Sequence, residues 1–98
     1  MNTQQLIQQI AEYFKTQPVL RAWLFGSFSR GEERPDSDVD ILVDLDYSQP
    51  IGLRFFGMCE DLKELLGRNV DLVSERTLAS FARKSVNRDK KLVYERTN

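Results

Sequence analysis

The chain has 98 residues, with 14 Lys plus Arg against 15 Asp plus Glu, no histidine and one cysteine; 41% of its residues are hydrophobic. That size suits one small domain with a real core, and the apolar fraction is too high for a disordered chain. Without histidine, Ser-His-Asp or Cys-His catalysis and His-ligated zinc are excluded, and a lone Cys59 forms no internal disulfide.

Leu6, Ile7, Ile10, Ala11 and Phe14 fall on one helical face, with Thr3 as the expected N-cap and Gln17-Pro18 as the stop. Residues 19–25 read as a buried strand ended by Gly26-Ser27, which is expected to open a short helical turn. Trp23 and Phe25 are expected in the core. Gly31 to Ser37, with Pro35 inside, is a polar loop. Residues 38–45 alternate as a strand does, with Val39, Ile41, Val43 and Leu45 on one face and Leu42 adding to the other. After a turn containing Pro50, Phe55, Cys59, Leu62 and Leu66 follow a second helical face, widened by Met58 and Leu65 and closed by Gly67. Residues 69–73 predict a third strand, Thr77 to about Arg83 a short helix, and Lys91 to Tyr94 an edge strand. The expected fold is α/β (α+β), a small mixed β-sheet with helices packed on it. No apolar run approaches the ~20 residues of a membrane span, and the N-terminus has no signal-peptide character. A reducing cytoplasm is the simplest expected home.

The near-neutral total hides an asymmetry. Seven acids and one base lie between Glu32 and Asp46, and seven bases and two acids lie from Arg76 onward. Two solvated faces explain this. So does a cation-binding acidic centre beside a basic surface.

Three features bear on chemistry. Asp38 and Asp40, two apart on a strand, leave the same face with Cα atoms roughly 6.5–7 Å apart. A hard cation such as Mg²⁺ compensates their repulsion, although an isolated Asp-x-Asp also fits an exposed strand entrance. Gly26 lets a phosphate approach the backbone, the Ser27 hydroxyl adds a donor, and Arg30 offers a cation one turn later. An ordinary turn explains Gly-Ser equally well. Asp71 is an acid between Val70 and Leu72, which needs either the Asp pair's cation or an arginine. Cys59 has no histidine to activate it and reads as core, and Ser29 has no base.

The stretch Gly26-Ser27-Phe28-Ser29-Arg30-Gly31, followed by Asp36-Ser37-Asp38-Val39-Asp40, resembles the signature of the polymerase-β-like nucleotidyltransferases. Within that superfamily it is most similar to the minimal nucleotidyltransferase (MNT) domains, and the resemblance covers most of residues 1–98. It implies two-metal nucleotidyl transfer. Asp38, Asp40 and Asp71 would be the catalytic and metal-holding residues for two Mg²⁺ ions. Gly26 and Ser27 would bind the β- and γ-phosphates of ATP, with Arg30 helping, and Asp71 would stand nearest the attacking hydroxyl. The family's standalone members resemble antitoxins that transfer AMP from ATP to a tyrosine of a HEPN-domain toxin. The short length points the same way, to an acceptor that is a separate macromolecule or is held across an oligomer. No direct nucleic-acid binding is expected, and the basic C-terminal segment is a candidate docking surface. Two alternatives stay open: an antitoxin that masks its toxin by binding alone, and a nucleotidyltransferase for a small molecule or an RNA end. The three intact acids argue against the first, and the lack of an acceptor domain against the second.

Overall fold

The computed structural model describes residues 2–34, 36–78 and 80–97. Its elements run α1 (Thr3–Phe14), β1 (Val19–Phe25), α2 (Ser27–Arg30), β2 (Val39–Leu45), α3 (Arg54–Leu66) and β3 (Val70–Ser74). A 3₁₀ turn (Glu75–Thr77), α4 (Ser80–Asp89) and β4 (Lys91–Glu95) complete the order. The sheet order is β3-β2-β1-β4, with β2 and β3 parallel and the other pairs antiparallel, so the sheet is mixed as expected. Pro35 and Ala79, which two of the expectations span, lie outside the described residues. Among the described residues no helix is long and apolar enough to cross a membrane.

The main core fills one face of the sheet. Ile10 and Phe14 of α1 and Met58 and Leu62 of α3 pack on Ala22, Leu24, Ile41 and Val43, all fully buried. Each of these side chains larger than Ala22 contributes about 1.5–3 kcal/mol by leaving water. Alternation along β2 then sends Asp40, Leu42 and Asp44 to the opposite face. Leu42 is buried there, and α4 covers the Asp40 end of that face with Val86. The first face therefore carries most of the core, and the second combines the acids with Leu42, Trp23 and Phe25.

Several boundaries differ from expectation for local reasons. The N-cap of α1 is Asn2, not Thr3. Asn2 Oδ1 accepts from the Gln5 N–H at 2.8 Å, and Gln5 Oε1 accepts from the Asn2 N–H at 3.0 Å, a reciprocal capping box. Leu65 lies outside the apolar stripe at 41% exposure, since Met58, Leu62 and Leu66 already fill the contact with the sheet. The final helix runs over Ser80–Asp89 after a 3₁₀ turn, instead of ending near Arg83. Gly67 caps α3 in the left-handed conformation, as the pattern requires.

Asp46, just after β2, ties the chain's far end to the sheet. Its carboxylate accepts from Ser48, from Arg96 Nη1 at 2.7 Å and from Gln49. These bonds, Ser48's first, hold its carboxyl well below the usual carboxylate range. A depressed carboxyl contributes stability that is present above about pH 4 and lost as pH falls through the folded value. Asp46→Asn should therefore lower the melting temperature at pH 7, with the difference from the parent shrinking as the melts are repeated at increasingly acid pH.

Candidate active site

The end of the sheet where β1 finishes and β2 begins brings Gly26, Arg30, Asp40 and Asp71 to one cavity, which Ser27 and Asp38 do not line. In the ladder Asp40 pairs with Phe25 on one side and with Asp71 on the other, so the two carboxylates stand side by side on one face. Asp38 lies one residue before β2, exposed, two residues from Asp40. A cavity of about 350 Å³ joins Asp40 and Asp71 to Phe25, Gly26 and Arg30, and the inner face of α4 closes it with Ser85, Val86 and Asp89. A larger groove, about 680 Å³, runs along α1 beside Leu65 and contains none of the predicted residues.

Gly26 is glycine for two independent reasons. Its φ of 70° and ψ of −147° lie in a region essentially closed to other residues. A Cβ built there would also overlap Asp40 Oδ2 and approach Asp40 Cγ to 3.3 Å. The backbone of the Gly-Ser turn thus runs directly against the Asp40 carboxylate. Gly26 O takes the N–H groups of Ser29 and Arg30 and the Ser29 hydroxyl, at 3.2, 3.3 and 2.9 Å. Ser29 is accounted for by that bond. The amides of Ser27 and Phe28 precede these in the turn and have no intrahelical acceptor.

Negative charge dominates the electrostatics around Asp40. Burial, followed by repulsion from Asp71 and then Asp38, pushes the Asp40 carboxyl up to about 6, with Arg30 pulling the other way. Asp71 lies on the exposed side of its strand, and its ladder neighbour is Asp40. The acidic side chains of the site offer carboxylate oxygens, which suit a hard cation that keeps several waters. Among the described residues, no three acidic or cysteine side chains form a ready-made cage.

The other predicted residues have more particular surroundings than the sequence suggests. Arg30 lines the cavity but is bracketed: its Nε donates to Glu32 at 2.6 Å and its Nη1 to Asp89 at 3.3 Å. Phe25, expected in the core, is half-buried and walls the cavity. Trp23 is half-buried, with Lys90 Nζ 4.5 Å from its ring centroid. Cys59 is partly buried on α3, its Sγ 3.6 Å from the Val70 carbonyl oxygen, which fits a packing role. Much of the basic segment is engaged within the fold: Arg83 with Glu75 and Leu78 carbonyls, Arg96 with Asp46, Arg76 over Tyr47. Sequence reasoning missed Ser85, Val86 and Asp89. Only Asp89 carried a signal, as an acid at a helix C-terminus where the macrodipole disfavours one.

A small mixed sheet that places two register-paired acids beside a Gly-Ser turn defines a class of phosphoryl-handling protein, and comparison makes the class explicit. The nucleotidyltransferase domain family model matches residues 5–95, and the chain belongs to that family. It is a homologue of the protein adenylyltransferase MntA of Thermococcus cleftensis, 48% identical over 66 residues, which are 67% of this chain and 66% of that protein. A solved structure named as a minimal nucleotidyltransferase superimposes with a TM-score of 0.77 at 34% identity, over 93% of this chain and 95% of its own. The complex of a tri-AMPylated Shewanella oneidensis HEPN toxin with an MNT antitoxin contains the same fold. There the TM-score is 0.72 at 21% identity, over 97% of this chain and 74% of that one.

Proposed function

We propose that this chain is a Mg²⁺-dependent protein adenylyltransferase that moves AMP from ATP to a tyrosine hydroxyl of a HEPN-domain toxin, and so acts as its antitoxin in the cytoplasm. The observation that carries the reading is the side-by-side register of Asp40 and Asp71, with Asp38 two residues away and the Gly26 backbone against Asp40. The MntA relative and the AMPylated-toxin complex of the same fold support the donor and the acceptor. The family match over residues 5–95 supports one minimal nucleotidyltransferase domain.

Asp38, Asp40 and Asp71 would hold two Mg²⁺ ions. When bound, these neutralise the triphosphate and stabilise the attacking and leaving oxygens of an in-line displacement. The amides of the Gly26-Ser27 turn and the Ser27 hydroxyl bind the β- and γ-phosphates, and Arg30 adds a cation. The acceptor oxygen bonds to the α-phosphorus as the bond to the bridging oxygen breaks, and pyrophosphate leaves. The acceptor proton passes to solvent water on the exposed Asp71 side, where a carboxylate favours its departure.

The test is to incubate the protein with α-labelled ATP, Mg²⁺ and the product of the adjacent gene. Label should be retained on that product and be lost with Asp38→Asn or Asp40→Asn. Full neutralisation of the partner by those variants, with no label transferred, would show masking instead.

A further inference from the structure

Asp89 is in the wrong place for helix stability. It is the last residue of α4, where the negative end of the macrodipole disfavours a carboxylate, and its neighbours Arg88, Lys90 and Lys91 are the residues such a position prefers. Its side chain is also only 18% exposed. A local rule broken at a largely buried acid calls for a compensating interaction, and Arg30 supplies it from across the cavity.

We propose that Asp89 is a positioning residue for the triphosphate, fixing the Arg30 guanidinium at the cavity between α2 and α4. The inference rests on the nucleotidyltransferase reading given above. Arg30 reaches the cavity on a long side chain whose freedom must be lost before it can meet a phosphate. Two carboxylates remove that freedom beforehand. Glu32 makes the shorter contact, at 2.6 Å, but its side chain is 59% exposed and its hold is screened by water. Asp89, at 3.3 Å and largely buried, is the less screened partner and the one that ties Arg30 to a second element. The two contacts use Nε and Nη1, leaving the Nη2 donors for an anion. Arg88 Nε lies 3.5 Å from the other Asp89 oxygen. Pre-ordering of this kind raises ligand affinity without any direct contact from Asp89.

The test is direct calorimetric titration of a non-hydrolysable ATP analogue with Mg²⁺ into the intact protein and its variants. Asp89→Asn keeps size and shape and removes a charge unfavourable to the helix, so its melting temperature should be no lower than the parent's. Its affinity for the analogue should nevertheless fall roughly fivefold to tenfold, the scale expected for a lost pre-organised side chain. Asp89→Ser should do the same, and Asp89→Glu, which keeps the carboxylate, should stay within about twofold of the parent. Arg30→Ala should weaken binding at least as much, and adding Asp89→Asn to it should change nothing further. Unchanged or tighter binding by both neutral variants would overturn the proposal, and so would effects of Arg30→Ala and Asp89→Asn that simply add. Failure of the parent protein to bind the analogue would instead overturn the nucleotidyltransferase reading itself.

Discussion

Asp40→Asn should abolish adenylyl transfer and, at the same time, make the metal-free protein more stable. The loss of activity is expected to reach about a hundredfold to a thousandfold, the usual scale for removing one preorganised electrostatic group from such a centre. The gain in stability follows from the raised carboxyl, pushed up to about 6 by burial and by Asp71 and Asp38. A carboxyl that holds its proton more tightly folded than unfolded destabilises the fold once it is ionised. That penalty is absent below about pH 4, grows between about pH 4 and 6, and is constant above. Discounted for the solvent that reaches this half-buried group, it is on the order of 1 kcal/mol, or several degrees in melting temperature for a chain of this length. Thermal melts without metal should therefore show Asp40→Asn above the parent at pH 7.5 and level with it near pH 4. Added Mg²⁺ should raise the parent's melting temperature and leave the variant's largely unchanged. A variant that is less stable than the parent at neutral pH would refute the electrostatic account of the site.

Gly26→Ala should have the largest effect on both fold and activity. At φ 70° and ψ −147° an alanine carries strain of about 1–3 kcal/mol, and its Cβ would also overlap Asp40 Oδ2. Either the Asp40 carboxylate or the turn must move, and either shift separates the phosphate donors from the acids. Transfer should fall to background, with a melting temperature lower by about ten degrees. Gly31→Ala is the contrasting case. Gly31 has a similar φ of 70°, but nothing lies within 4 Å of its added Cβ. It should lose only about 1–2 kcal/mol for the left-handed backbone and keep most of its activity. Equal activity losses in the two variants would show that backbone strain alone, not the contact with Asp40, sets the requirement at Gly26.

The candidate site was legible because its signal is short-range. A strand that ends in Gly-Ser and a strand that begins with Asp-x-Asp place their residues by period-two alternation, whatever the rest of the chain does. β1 covers the same residues, 19–25, that its apolar run predicts, and β2 differs by one residue. What the pattern could not carry is pairing: that Asp40 faces Asp71 in register is a property of the parallel β2-β3 ladder, between residues distant in sequence. The C-terminal third was read less well. α4 is polar along most of its length, and Val86 is the buried apolar side chain among its described ones, so no apolar stripe marks its bounds. Phe25 looked like core because its run is apolar. Its place on the sheet's second face, where α4 leaves a cavity, depends on contacts distant in sequence.

The missing histidine and the near-zero net charge thus have one physical setting. Carboxylates gather at one end of the sheet, and much of the basic C-terminal segment is spent on the fold, with Arg96 on Asp46 and Lys90 on Trp23. Arg30, far from that segment in sequence, is a cation held at the cavity itself.

The central claim, that Asp38, Asp40 and Asp71 form a metal-dependent centre for adenylyl transfer, is tested most directly by intact-mass spectrometry of the partner protein. The partner is incubated with ATP, Mg²⁺ and either the parent chain or Asp71→Asn. The account predicts mass increments of one or more adenylyl groups with the parent, and none with Asp71→Asn or after chelation of the metal. Increments that persist when the three aspartates are replaced together would contradict it, as would an unmodified partner in the presence of a parent chain that binds ATP.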